Sequence, residues 1–289
     1  DTGAGTAASA DTAGIVGART DFAIGEGVLA TPESVLWDEQ ADMYYVSNIN
    51  GAPTEKDGNG FITRVRPDGT VDAPRWIDGA TEEVTLHAPK GMAVHGDTLW
   101  VTDIDTVRAF HRTTGAPLGA RGVEGATFLN DLATAADGTL YVTDMGVDAS
   151  FQPNGRAAIL RMESNGATPV ASGDALSSPN GIVVVDDAIV VVPFGSAVVM
   201  RVPLDGSAPD TIATLQGGQL DGIVRSRAGE LFVSSWESSS VYRIDTGGNV
   251  SVFADSLQSP ADIGYDSRRN RVLVPLFNAN RVEVRTIEN

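Results

Sequence analysis

Six short segments of one pattern recur along the chain, and their spacing constrains the fold more than any other feature. They read MYYVSNIN, TLWVTDID, TLYVTDMG, AIVVVPFG, ELFVSSWE and RVLVPLFN, centred on Val46, Val101, Val142, Val191, Val233 and Val274. Successive centres lie 55, 41, 49, 42 and 41 residues apart, near the roughly 40–45 residues of a four-stranded propeller blade. The segments are rich in β-branched and aromatic residues, and Asp-Gly, Asn-Gly and Gly-Gly turns punctuate the chain. No long stretch carries a 3.6-residue apolar period. The expected fold is all-β: a six-bladed β-propeller with four antiparallel strands per blade, spanning 15–289 as a single domain.

Third strands follow as AILRM, VVMRV, VYRID and RVEVRTI, and an outer strand as SVFAD. The last blade runs out of chain after its third strand. The segment Thr20–Leu29 is therefore expected to supply the fourth, closing the ring and protecting its edges. Residues 1–14, DTGAGTAASADTAG, are small and polar and are expected to form a flexible tail. A linker left by removal of a secretory signal has this composition, and a plain flexible tail has it equally; on the first reading the expected location is periplasmic or secreted.

Composition narrows the function classes. The 289 residues are 42% hydrophobic and carry a net charge of −18. Nucleic acid is disfavoured as a partner, because its binding needs a basic surface. No apolar run approaches the ~18 residues of a membrane-spanning helix. The absence of cysteine excludes disulfides and thiolate metal sites. The expected partner is a small-molecule substrate; nothing in the sequence sets an oligomeric state.

Aligned on their own register, the six inner strands read PESVLW, PKGMAV, LNDLAT, PNGIVV, LDGIVR and PADIGY. Their second positions hold Glu33, Lys90, Asn130, Asn180, Asp221 and Ala261. Inner strands surround the central channel, so these positions form a ring at one of its ends. Glu33, Asn130, Asn180 and Asp221 supply side-chain oxygens, a hard donor set that suits a divalent metal: Ca²⁺ first, with Mg²⁺ or Mn²⁺ as alternatives. Residues of these types also cap strand starts, but four at one register favour a site. Lys90 leaves two options open: it pairs with Glu33 or Asp221 in place of a metal, or it donates to a substrate carbonyl or oxyanion.

Antiparallel pairing brings the end of each second strand beside the start of the inner one. Ile49, Ile104, Met145, Phe194, Trp236 and Phe277 then form an apolar collar over the polar ring, the composition of a small-molecule pocket. Packing between blades accounts for the same residues equally well. Two longer connections, NGAPTEKDGNG and GVDASFQPNGRA, leave the same face as a lid or rim. His87, His95 and His111 all fall outside the ring register.

The segments PESVLWD, LNDLATAADGTLYVTD, SPNGI and LDGIVRSRAGELFVSSW resemble the senescence-marker-protein/gluconolactonase family, with diisopropylfluorophosphatase and paraoxonase as more distant relatives. The resemblance runs from about Pro32 to Asn289. It implies a six-bladed propeller with a divalent metal, commonly Ca²⁺, at the channel. The family's metal-binding Glu, Asn and Asp are similar to Glu33, Asn180 and Asp221, and its further Asn, on substrate or metal, to Asn130. Many gluconolactonases carry an arginine two residues before that Asn; here the place holds Phe128, which favours a more apolar ester or lactone over a sugar lactone. Lys90 also departs from the family pattern.

The expected activity is metal-dependent hydrolysis of a lactone or related ester. Asp221 is the candidate for activating water or for direct attack, and Lys90 a second catalytic candidate. Asn130, Asp131, Ile104, Phe194, Trp236 and Phe277 are assigned to the substrate, and Glu33, Asn130, Asn180 and Asp221 to the metal. The alternatives are a non-catalytic propeller that binds a ligand or partner protein, and a metal-free enzyme using Lys90.

Overall fold

A computed structural model describes residues 20–25 and 27–288. The tail expected over residues 1–14 lies outside them. Six four-stranded antiparallel sheets form the blades of a propeller, and no α-helix occurs among the described residues. The inner strands of blades 1 to 6 are Pro32–Asp38, Pro89–His95, Leu129–Thr134, Pro179–Val185, Leu220–Arg225 and the short Gly264–Asp266. Each pairs with a second strand, in order Met43–Asn48, Thr98–Asp103, Leu140–Asp144, Ala188–Pro193, Leu231–Ser235 and Arg271–Leu276.

The ring closes as expected. Thr20–Ile24 pairs antiparallel with Arg281–Thr286 as the outer strand of blade 6. It stops short of Leu29 because Gly25 and Gly27 take positive φ and turn the chain. Leu29 then drops into the core between blades 6 and 1. Six apolar clusters lie one between each pair of successive blades. The six central valines of the repeat have 0% exposure, so the recurrence marks the layer where blades press face to face.

A second regularity positions the site. In blades 1 to 5 the inner strand carries one extra residue against its partner: Pro32 pairs with Asn48 but Val35 with Val46, and the same shift recurs at Pro89/Met92, Leu129/Leu132, Pro179/Ile182 and Leu220/Ile223. These β-bulges sit on the ring residues, and a bulge re-aims side chains that strict alternation would send to opposite faces. Hydroxyls of the second strands stitch the bulges down. Thr143 Oγ1 accepts the Asp131 N–H at 3.0 Å and donates to the Asn180 carbonyl of the next blade at 2.7 Å. Ser234 Oγ accepts the Gly222 N–H at 2.8 Å and donates to the Ala261 carbonyl at 2.8 Å. Thr102 Oγ1 donates to the Asn130 carbonyl and Ser47 Oγ accepts the Ser34 N–H. Blades 6 and 1 join through backbone bonds, Asp262 N to Glu33 O and Val35 N to Asp262 O.

Thr143→Val keeps the shape but strands a buried N–H and a buried carbonyl. Urea denaturation should show a loss of about 1–3 kcal/mol; an unchanged midpoint would mean the stitch is not a stabilising element.

Candidate active site

The ring residues of blades 1 to 5 converge at one mouth of the channel. Glu33, Lys90, Asn130, Asn180 and Asp221 line a single cavity of about 660 Å³, and all five are buried. Ala261 is buried too and brings no donor. Four of these residues each have a buried oxygen without a protein hydrogen-bond partner: Glu33 Oε2, Asn130 Oδ1, Asn180 Oδ1 and Asp221 Oδ1. Such atoms are rare in a folded interior. Here they are the four expected from the register. Asn130 is oriented by its other end, which donates to Met145 Sδ at 3.0 Å.

Among the described residues no three acidic or histidine side chains are arranged to hold a metal ion on their own. A cation at the ring therefore depends on the two amides. Two carboxylate and two amide oxygens, all lacking donors, fit an oxygen-liganded divalent cation and offer nothing to a soft metal.

Lys90 leans out of this set. Its ammonium donates to the carbonyls of Pro53 at 2.9 Å and Ala88 at 3.1 Å, and lies 4.6 Å from the centre of the Phe128 ring. These contacts occupy it and pin the Pro53 loop to the channel mouth. Burial lowers its pKa to about 8, opposed by the charges of Glu33 and Asp103.

A second tier of side chains faces down the channel: Ser34 and Asp131, aimed by the bulges of their strands, and Asp262 of blade 6, with Gly91, Gly181 and Gly222 at the matching places of blades 2, 4 and 5. A Cβ at Gly91 would stand 2.4 Å from Asp131 Oδ1, and one at Gly222 2.3 Å from the Ile263 nitrogen, so the glycines let the inner strands close up. Ser34 Oγ donates to Asp262 Oδ2 at 2.6 Å. Asp131 accepts the backbone N–H groups of Leu132 at 2.7 Å and Ile182 at 2.8 Å. Ser34, Asp131 and Asp262 line the opposite mouth, a cavity of about 710 Å³. Asp131, assigned from sequence to the substrate, thus lies below the collar cavity and braces two blades.

Burial drives the carboxyl groups of Glu33, Asp131 and Asp221 well above their ordinary range; Asp221 adds to the rise at Glu33, and Asp262 adds to it at all three. The Trp236 indole opposes the rise at Asp221, although its N–H closes no hydrogen bond. Asp262 is pushed up to about 7, again by burial, against the Ser34 hydrogen bond.

The collar forms in part as expected. Ile49, Met145, Phe194, Trp236 and Phe277 line the cavity, joined by Phe128, Val147 and Phe151. Phe194 and Phe277 both pack on Trp236, with ring centroids 6.0 and 5.3 Å away. Ile104 does not line the cavity; it is buried behind the collar with Ile49 and Ala88. His87 Nδ1 accepts the Gly58 N–H at 2.9 Å and so steadies the loop whose Pro53 carbonyl holds Lys90.

Fold and site together define a six-bladed propeller with an oxygen-lined pocket at one channel mouth. The chain belongs to the SMP-30/gluconolactonase/LRE-like family, whose sequence profile matches residues 31–261. No curated protein matches it significantly. Among solved structures it is similar to a gluconolactonase from Xanthomonas campestris, with a TM-score of 0.67 and 19% identity over 89% of this chain and 87% of that one. It is also similar to virginiamycin B lyase from Staphylococcus aureus, with a TM-score of 0.63 and 14% identity over 92% and 99% of the two chains. At these identities the likeness is one of fold.

The raised carboxyl groups make the metal-free protein pH-sensitive. Near neutral pH the folded state holds protons that the unfolded chain, with aspartates near 3.8, has released. Stability is therefore lowest above pH 7 and recovers as the pH falls towards the unfolded value. In chelator, the melting temperature should rise by roughly 5 °C between pH 8 and pH 5, and by less in Asp262→Asn. A melting temperature that falls over this range would contradict the assignment.

Proposed function

We propose that this protein is a divalent-metal-dependent hydrolase of apolar lactones or related esters, acting at the mouth of the channel. The observation that carries the reading is the convergence of four unpartnered buried oxygens, from four blades, beneath an aromatic chamber. Family membership and the gluconolactonase fold neighbour support lactone hydrolysis. Phe128 and the collar support an apolar substrate. The donor set favours Ca²⁺, with Mg²⁺ or Mn²⁺ as alternatives.

A divalent cation at the ring supplies Lewis acidity towards an ester carbonyl and charge for the developing oxyanion. The chain's own groups do the rest. Glu33 and Asp221 provide the negative charge of the site, and Asn130 and Asn180 complete it without adding more. Asp221 takes a proton from water as its oxygen adds to the acyl carbon. When the ring C–O bond breaks, Asp221 returns that proton to the departing oxygen. The aromatic collar takes the apolar body of the substrate and excludes bulk water. Lys90, held by two carbonyls, acts as a positioning residue: it fixes the Pro53 rim and offsets part of the charge of Glu33.

Hydrolysis of an alkyl-substituted lactone, followed by pH-stat, should vanish on chelation and return with Ca²⁺. Asp221→Asn should lower kcat/KM by about 10²–10⁴-fold. Lys90→Met should mainly raise KM. Turnover that survives exhaustive chelation but is lost in Lys90→Met would instead establish the metal-free reading. Retained ligand binding with no turnover under any condition would establish a binding propeller.

A further inference from the structure

The rim of the pocket carries a feature that hydrolysis itself does not explain. Among the described residues only Leu118, Phe151 and Val250 are large hydrophobic side chains left exposed, and Phe151, at 49%, is the one that also lines the collar cavity. Its backbone is in the left-handed region, with φ +59°. A bulky residue is unfavourable there, and Asn or Gly is the ordinary choice. The loop that holds it is firmly built. Asp148 Oδ1 accepts the N–H groups of Ser150 at 2.8 Å and Gln152 at 3.0 Å. The Phe151 N–H donates to the Asp148 carbonyl at 2.9 Å. Thr127 Oγ1 donates to the Val147 carbonyl at 2.6 Å, and Asn154 donates to Thr127 Oγ1 at 2.7 Å.

This rigid loop thus spends stability twice, on a strained backbone and on a half-exposed phenyl ring. Observed strain of this kind points to function. The ring of Phe151 stands 5.5 Å from that of Phe128, tilted by 57°. Phe128 is buried and carries the Lys90 ammonium near its ring. A line of apolar surface therefore runs from the oxygen ring past Phe128 to the solvent edge. The cavity of about 660 Å³ is of the size that accepts a drug-sized ligand, far more than a bare lactone ring fills.

We propose that Phe128 and Phe151 form a subsite that grips an alkyl or aryl tail, so that the preferred substrate is a lactone or ester bearing such a tail rather than a bare or polyhydroxylated ring. The inference rests on the proposed reading for the reacting end of the pocket. It is separable from that reading because binding can be measured without turnover.

The test is calorimetric titration of the Ca²⁺-loaded protein with γ-lactams of increasing alkyl tail, which mimic lactones and resist hydrolysis. In the native protein Kd should fall about threefold for each added methylene. Phe151→Asn should flatten that dependence, weakening the longest tail by about tenfold, and Phe151→Leu should restore most of it. Because Asn accepts the left-handed backbone, Phe151→Asn should also melt at the native temperature or above it. A purely structural phenyl ring would lower the melting temperature instead. Native affinity independent of tail length, full tail dependence in Phe151→Asn, or loss of thermal stability in that variant would each overturn the proposal. Tail-dependent lactam binding without lactone turnover would retire the hydrolase reading alone; turnover without tail dependence would retire this one alone.

Discussion

The architecture turns on a small interaction: a second-strand hydroxyl that accepts a hydrogen bond from a bulge in its own blade and donates one to the next blade's ring residue. Thr143 and Ser234 each do both. The bulge would otherwise leave a buried N–H unpaired, at a cost of about 1–3 kcal/mol. With the hydroxyl in place, the bulge becomes the joint between neighbouring inner strands. It also determines which side chains meet at the axis. Blade packing through the valine layers holds the propeller together, but the stitched bulges convert six similar wedges into one channel with two differently lined mouths.

The channel that results is electrostatically unbalanced. Glu33, Asp131, Asp221 and Asp262 are all buried around it, with one lysine for company. Isolated buried carboxylates are strongly disfavoured and respond by raising their proton affinity, the direction found for all four. The upper tier differs from the lower in its hydrogen bonding. Asp131 and Asp262 have protein donors, whereas Glu33 Oε2 and Asp221 Oδ1 have none. The lower tier is thus satisfied by its own fold, while the upper tier keeps buried oxygens without a protein donor.

Much of this was legible in the sequence, for identifiable reasons. The valine repeat gave the blades because a residue pressed between two sheets tolerates little variation in size or polarity. The ring residues could be aligned because each sits two or three places before an apolar inner-strand core. Of the lower tier only Asp131 was singled out from the sequence; Ser34 and Asp262 escaped because strand reasoning assumes alternation, so that a residue next to a ring position should face away from the axis. The bulge cancels that rule, and no single residue announces a bulge. The repeated glycine at Gly91, Gly181 and Gly222, with hydroxyls at Thr102, Thr143 and Ser234, was the available signal. The collar was found in outline, yet Ile104 lies behind it and Phe151 was not singled out. Whether a rim residue points in or sits behind depends on loop geometry that its neighbours in sequence do not encode.

Four unpartnered buried oxygens at one register are proposed to hold a single cation. Anomalous diffraction from crystals grown with Mn²⁺ tests it most directly. A single strong peak is expected on the channel axis, bounded by Glu33, Asn130, Asn180 and Asp221. No peak at the ring, with metal bound elsewhere or not at all, would contradict it.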